Sequence, residues 1–238
     1  MAVILLRHGV STSNLARTLA GRSPGIPLAE RGYAQARALA ERLAEQPIVE
    51  LVSSPLLRCK QTLAPLAERL GRTPVLDDRI AEVDYGEWTG RELRELVTEP
   101  LWKVVQRHAS GAVFPGGEGL ANVQTRAVLA IREHENRLRA EHGHEVLWVA
   151  CSHGDVIKSV LADAFGMHLD AFQRIVVEPA SLSVVRYTAT SPYVWRVNDT
   201  VDGLPGIVPD KRAEAVPGGE VTTPRDGDNG TDTTSQQR

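Results

Sequence analysis

The sequence predicts an α/β fold: three layers, α/β/α, around a mostly parallel central sheet. Three observations carry this expectation. Short apolar runs alternate with segments of helical period from Val3 to Phe165, the order that places helices on both faces of a sheet. The runs are continuously apolar rather than alternating, as strands buried on both faces are. Each of the first three then stops abruptly at polar residues, and open α/β sheets gather their chemistry beyond the carboxyl ends of their strands.

The elements follow in order along the chain. Val3 to Leu6 is the first strand, stopped by Arg7-His8-Gly9. Residues 29–45 carry Tyr33, Ala36, Leu39, Ala40 and Leu43 at helical spacing, before Pro47. Leu51-Val52 is a short second strand, ended by Ser53-Ser54-Pro55. Residues 56–70 read as a helix through Leu56, Leu57, Leu63, Leu66 and Leu70, closed by Gly71 in the usual C-terminal glycine position. Residues 91–109 look helical but broken at Pro100, since proline lacks the amide a helix interior needs. Residues 119–142 hold the longest helical pattern, with Leu120, Val123, Ala127 and Leu138. Val146 to Ala150 is the third buried strand and runs into Cys151-Ser152-His153-Gly154. Val156 to Phe165 is helical again and is closed by Gly166. Ser181 to Tyr187 and Tyr193 to Asn198 complete the set as two strands joined through Pro192.

Composition sets the outer bounds. The chain has 238 residues, 42% of them hydrophobic, and a formal net charge of −3. The apolar share is that of a globular protein, and the charge offers no global attraction for nucleic acid or an anionic membrane. Two cysteines without a C-x-x-C pair exclude a disulfide scaffold and suggest no zinc site. Cys59 and Cys151 read as inert buried thiols. The apolar run at the N-terminus, Ala2 to Leu6, is too short for a signal peptide or a membrane span, so the expected location is cytoplasmic. Every aromatic residue lies between Tyr33 and Trp195. Residues 203–238 are rich in glycine, proline and polar residues and read as a disordered tail. The expected organisation is one domain over residues 1–202, with a lid insertion at about 91–118 holding Trp102, Lys103, Arg107, His108 and Phe114. Trp102 and Phe114 are expected to pack; Lys103 and Arg107, four apart on one helix face, to be solvated.

The polar strand ends share one chemical character: Arg7-His8 after the first strand, Ser53-Ser54 and then Arg58 after the second, Ser152-His153 after the third. Each piece alone has an ordinary structural explanation. Together they place two arginines and two histidines at one sheet edge. Two guanidinium groups in a partly dry cleft repel each other, and a dianionic phosphate relieves that repulsion through bidentate contacts. A histidine there can attack phosphorus through one ring nitrogen if the other donates its proton to a fixed acceptor. The leaving alkoxide then needs a nearby carboxylic acid whose pKa burial has raised.

Leu6-Arg7-His8-Gly9 followed by Ser11-x-x-Asn14 resembles the opening signature of the histidine phosphatase superfamily, the phosphoglycerate mutase-like proteins. Further blocks follow in register: Gly21-Arg22 through Pro27-Leu28 and Gly32-x-x-Gln35-Ala36, Ser53-Ser54-Pro55-Leu56-Leu57-Arg58, Glu82-Val83-Asp84-Tyr85-Gly86-Glu87-Trp88, Pro115-Gly116-Gly117-Glu118 and Ser152-His153-Gly154. The resemblance covers about residues 3–200, and within the family the chain looks nearest to an actinobacterial branch of phosphomutases and histidine phosphatases. It implies a phosphomonoester phosphatase of small metabolites, with His8 as the phosphorylated nucleophile. Arg7, Arg58 and His153 would bind phosphoryl oxygens, Glu82 would be the proton donor, and Asn14, Arg22, Ser152 and Gly154 would add phosphate or substrate contacts. It implies no metal and no cofactor, and a homodimer as a family-level expectation. The alternative is a cofactor-dependent phosphoglycerate mutase, but the stretch from Glu82 to His153 is short, as in the phosphatases. A third possibility is a phosphate-binding module without turnover. Two departures stand out. Val10 replaces a common glutamate, and Asp155 stands where many relatives carry a neutral residue; a helix N-terminal acid is the favoured reading of Asp155 over a substrate contact.

Overall fold

The computed structural model describes residues 1–143 and 146–200. The strands are β1 (Ala2–Arg7), β2 (Ile48–Ser53), β3 (Val75–Leu76), β4 (Leu147–Ser152), β5 (Leu182–Tyr187) and β6 (Pro192–Asp199). They form one six-stranded sheet in the order β3-β2-β4-β1-β5-β6. The first four are mutually parallel, and β5 and β6 add an antiparallel edge. Two-residue β3, exposed throughout, is too short to leave a periodic signal in the sequence.

The helices are α1 (Thr12–Ala16), α2 (Glu30–Leu43), α3 (Leu57–Leu70), α4 (Leu93–Leu96), α5 (Pro100–Arg107), α6 (Leu120–His142) and α7 (Gly154–Ala164). Alternate residues of β1 feed opposite layers. Ile4 and Leu6 join Leu39, Leu43, Leu51, Leu63 and Leu66 under α2 and α3. Val3 and Leu5 join Val123, Ala127, Trp148, Val156 and Val160 under α6 and α7. Both faces of the sheet are therefore covered, which is why its central strands read as unbroken apolar runs.

The helical pattern over 91–109 is broken at Pro100 as expected, into α4 and α5, and Pro100 is the first residue of α5, where its missing amide would have had no intrahelical partner. The segment 91–118 is anchored in the core through Leu96, Trp102, Val105, Ala109, Ala112 and Phe114. Trp88 stacks on Trp102 at 6.3 Å and meets Phe114 edge-on at 5.3 Å. Lys103 and Arg107 are exposed. The tail expected at 203–238 lies outside the described residues. No helix among the described residues is long and apolar enough to cross a membrane.

Candidate active site

Strands β2, β4 and β1 are adjacent and end together. Arg7 pairs in register with Ser152, and Ser53 with Cys151, so the polar residues that follow meet at one edge. The loop after β1 is fixed by side chains from the covering helices. The Gly9 amide donates to Thr62 Oγ1 on α3 (2.9 Å) and the Val10 amide to Gln35 Oε1 on α2 (3.0 Å). A Cβ on Gly32 would stand 2.1 Å from the Val10 carbonyl, so only glycine lets α2 approach this closely. Asn14 closes a capping box with Ser11 at the start of α1, its Oδ1 accepting from both the Ser11 amide and hydroxyl. Its amide nitrogen is then the donor left for another partner.

His8 is buried, and its Nδ1 lies 2.8 Å from the Gly9 carbonyl. Nδ1 therefore carries the proton and Nε2 the lone pair. Burial, and the guanidinium groups of Arg58 and Arg7, hold its pKa well below the usual histidine value. His153, 5.2 Å away between ring centroids, is fully buried. Its Nε2 meets Ser54 Oγ at 2.8 Å, and its Nδ1 meets Arg58 Nη2 at 3.1 Å. Arginine can only donate, so Nδ1 accepts and Nε2 donates to Ser54. Burial and the same two arginines, with His8, keep His153 neutral too.

Two guanidinium groups are buried here. Arg7 donates Nη1 to the Val177 carbonyl at 2.7 Å. Arg58 donates Nη2 to the Gly21 carbonyl at 2.9 Å, and the same nitrogen lies 3.9 Å from Glu82 Oε2. Its Nη1 is buried with no hydrogen-bond partner, the kind of orphaned donor that native interiors rarely tolerate without a ligand. Glu82 is nearly fully buried, with Oε2 3.6 Å from His153 Nδ1 and Oε1 accepting from the Val83 amide. Burial raises its pKa to about 7; Asp155 adds to the rise, while Arg58, the Val83 amide and Arg7 oppose it.

The remaining candidates have structural partners. Ser152 donates its hydroxyl to the Ile80 carbonyl at 2.7 Å, and its own carbonyl receives the His8 amide. Arg22 donates Nε to the Glu82 carbonyl at 2.8 Å and Nη2 to Glu118 Oε1 at 2.9 Å. Gly154 opens α7, so its amide lacks an intrahelical acceptor. Asp155 sits in the first turn of α7 as expected, but it is also fully buried and accepts from the Tyr85 hydroxyl at 2.9 Å. Cys59 and Cys151 are buried thiols, and burial raises the pKa of Cys151. Ser54, Thr62, Glu118 and Arg126 hold the site residues in place; the first three stand at the family's motif positions, and Arg126 carries no signal in the sequence. Among the described residues no cluster of histidine, cysteine, aspartate or glutamate could hold a metal ion.

The sequence and the fold are similar to those of known proteins. The family model of the histidine phosphatase superfamily (branch 1) matches residues 3–200. This chain belongs to that superfamily. A relative named probable phosphoglycerate mutase GpmB, from Yersinia pestis (strain Pestoides F), is 33% identical over 207 residues, covering 85% of this chain and 93% of that protein. Two solved structures show the same fold. The mycobacterial glucosyl-3-phosphoglycerate phosphatase complexed with VO3 has a TM-score of 0.76 at 23% identity, covering 84% of this chain and 99% of its own. A putative alpha-ribazole-5'-P phosphatase from Escherichia coli has a TM-score of 0.71 at 23% identity, covering 84% and 96%. The relative is named a probable mutase and the two solved structures are named phosphatases.

Proposed function

We propose that the protein is a phosphomonoester phosphatase of small phosphorylated metabolites that works through a phosphohistidine at His8. The observation that carries this reading is the buried, unpartnered Nη1 of Arg58, which lies on the same guanidinium that touches His153 and approaches Glu82. An anionic phosphoryl oxygen is the partner that donor lacks.

The steps follow from the protonation states. His8 Nε2 attacks phosphorus while Nδ1–H stays on the Gly9 carbonyl, which offsets the positive charge growing on the ring. The P–O bond to the substrate alcohol breaks, and the departing oxygen takes the proton of Glu82. A carboxyl with a pKa near 7 is still about half protonated at neutral pH and so can serve as acid. The carboxylate then removes a proton from water, which attacks phosphorus, breaks the N–P bond and releases inorganic phosphate. Arg7, Arg58 and His153 hold the equatorial oxygens, and such fixed donors stabilise the spreading charge in a dry site. His153 can donate to an oxygen from Nδ1 in its other tautomer, with Nε2 then accepting from the Ser54 hydroxyl. Asn14 supplies its free amide donor. Ser152 acts through the loop it braces.

The named relative with 33% identity keeps the mutase reading in view. Purified protein should release inorganic phosphate from p-nitrophenyl phosphate and from some members of a metabolite panel that includes phosphoglycerates. His8→Ala should abolish release. Rapid 3-to-2-phosphoglycerate interconversion with negligible phosphate release would overturn the phosphatase reading in favour of the mutase.

A further inference from the structure

The segment that carries Glu82 has little regular structure. It follows a single 3-10 turn, Asp78–Ile80, and precedes another, Gly86–Trp88. Its four successive carbonyls are nevertheless all engaged. Arg126, on α6, donates Nη1 to the carbonyls of Arg79 (2.7 Å) and Ala81 (2.8 Å), and Nη2 to that of Glu82 (3.2 Å). The Ile80 carbonyl takes the Ser152 hydroxyl, and Arg22 adds a second donor to the Glu82 carbonyl.

Arg126 is itself locked by a fork. Its Nε lies 3.0 Å from Glu118 Oε2 and its Nη2 lies 2.6 Å from Glu118 Oε1. That same Oε1 also accepts from Arg22 and from the Asp84 amide, at 2.9 and 2.8 Å. Burial pushes the Glu118 carboxyl up, but the hydrogen bonds from Arg126 and the Asp84 amide outweigh it and hold the group below its ordinary pKa. Glu118 therefore stays ionised and keeps both arginines. One carboxylate and two guanidinium groups grip the backbone on both sides of Glu82.

We propose that Arg126, fixed by Glu118, is the positioning residue for the Glu82 carboxyl and sets how well that group can deliver its proton. The proposal rests on the reading of Glu82 as the acid in the previous section. Arg126 touches neither substrate nor reacting atoms; it acts by fixing the carbonyls at 79, 81 and 82, and so the stretch of backbone from which the Glu82 carboxyl reaches toward Arg58 and His153. Only a planar guanidinium can serve these acceptors together. Lysine has three donors on one nitrogen and cannot span three carbonyls and a bidentate carboxylate. A displacement of the acid by a fraction of an ångström to an ångström is costly, because proton transfer requires hydrogen-bond reach.

The test exploits the leaving group. A nitrophenolate leaves with little help, whereas an alkoxide depends on the acid. In the full-length protein, Arg126→Lys should lower kcat for an alkyl phosphate about tenfold or more and kcat for p-nitrophenyl phosphate about twofold or less, a fraction of the hundredfold or more that general acid catalysis supplies. The inhibition constant for inorganic phosphate should stay within about twofold, since the phosphate-binding groups are untouched. Glu118→Gln, which removes the charge of the fork but keeps its shape, should show the same split and serves if Arg126→Lys does not fold. Glu82→Gln is the benchmark and should show the largest split. Equal losses on both substrates, or a phosphate affinity that falls with no split, would overturn the positioning role and leave Arg126 as a stability residue. If Glu82→Gln shows the split and both clamp variants lack it, the positioning proposal fails alone. If Glu82→Gln itself shows none, Glu82 is not the acid and both readings fall.

Discussion

Replacing Glu82 with glutamine should stabilise the protein above neutral pH while removing turnover of alkyl phosphates. The folded-state pKa of Glu82 is about 7, against an ordinary glutamate value of 4.5. The native state therefore binds this proton more tightly than the unfolded chain does. Stability falls as pH rises from the unfolded pKa through the folded one, and the full cost is present only above about pH 7. A shift of roughly 2.5 units, at about 1.36 kcal/mol per unit, amounts to about 3 kcal/mol. Glutamine is neutral at every pH, and its carboxamide oxygen can still accept from the Val83 amide. The assay is urea unfolding of both proteins in phosphate-free buffer, near pH 5 and near pH 8.5. The variant should gain about 3 kcal/mol on the wild type between the two conditions. For a chain of this size that corresponds to a change in the Tm difference of roughly 6–12 °C. Other titrating groups and the unfolded ensemble are common to both proteins and cancel in the comparison. A stability difference that is the same at both pH values would refute a buried, neutral Glu82 and, with it, the acid role. The expected trade is the usual one: a buried charged carboxyl costs stability that a neutral replacement restores.

Two further outcomes test the scaffold around the site. Gly32→Ala would push a Cβ to 2.1 Å from the Val10 carbonyl and should cost about 3 kcal/mol in unfolding experiments, with phosphate release falling alongside; an unchanged Tm would mean that α2 and the His8 loop do not touch as described. Ser54→Ala removes the acceptor of the buried His153 Nε2–H and should cost about 1–3 kcal/mol; the inhibition constant for inorganic phosphate should rise with it. Unchanged stability and affinity would show that the Ser54 contact does not orient His153.

Much of this protein is written locally. The apolar runs at β1, β2 and β4 announce a buried parallel sheet because both faces of those strands are covered. The residues after them are legible because strand ends are the only places where such a sheet exposes its chain to a cleft. Elements with no period of their own escape such reading. β3 has two residues and α1 has five, and α1 exists through the Ser11–Asn14 capping box rather than through an apolar stripe.

The candidate site divides along the same line. Motif and chemistry name His8, Arg7, Arg58, Glu82 and His153. What each of them does depends on atoms far away in the chain. The tautomer of His153 is set by Ser54 and Arg58, nearly a hundred residues earlier. The three carbonyls gripped by Arg126 come from 44 to 47 positions before it, and nothing around Arg126 in its helix marks it out. The sequence by itself determined the α/β class and the residues that gather at one sheet edge, because strand burial and strand ends follow from local pattern. Only the tertiary structure decided which protons those residues carry, that Ser152 braces a loop, and what holds Glu82 in place, because pKa and orientation depend on burial and on partners that meet only when the chain has folded.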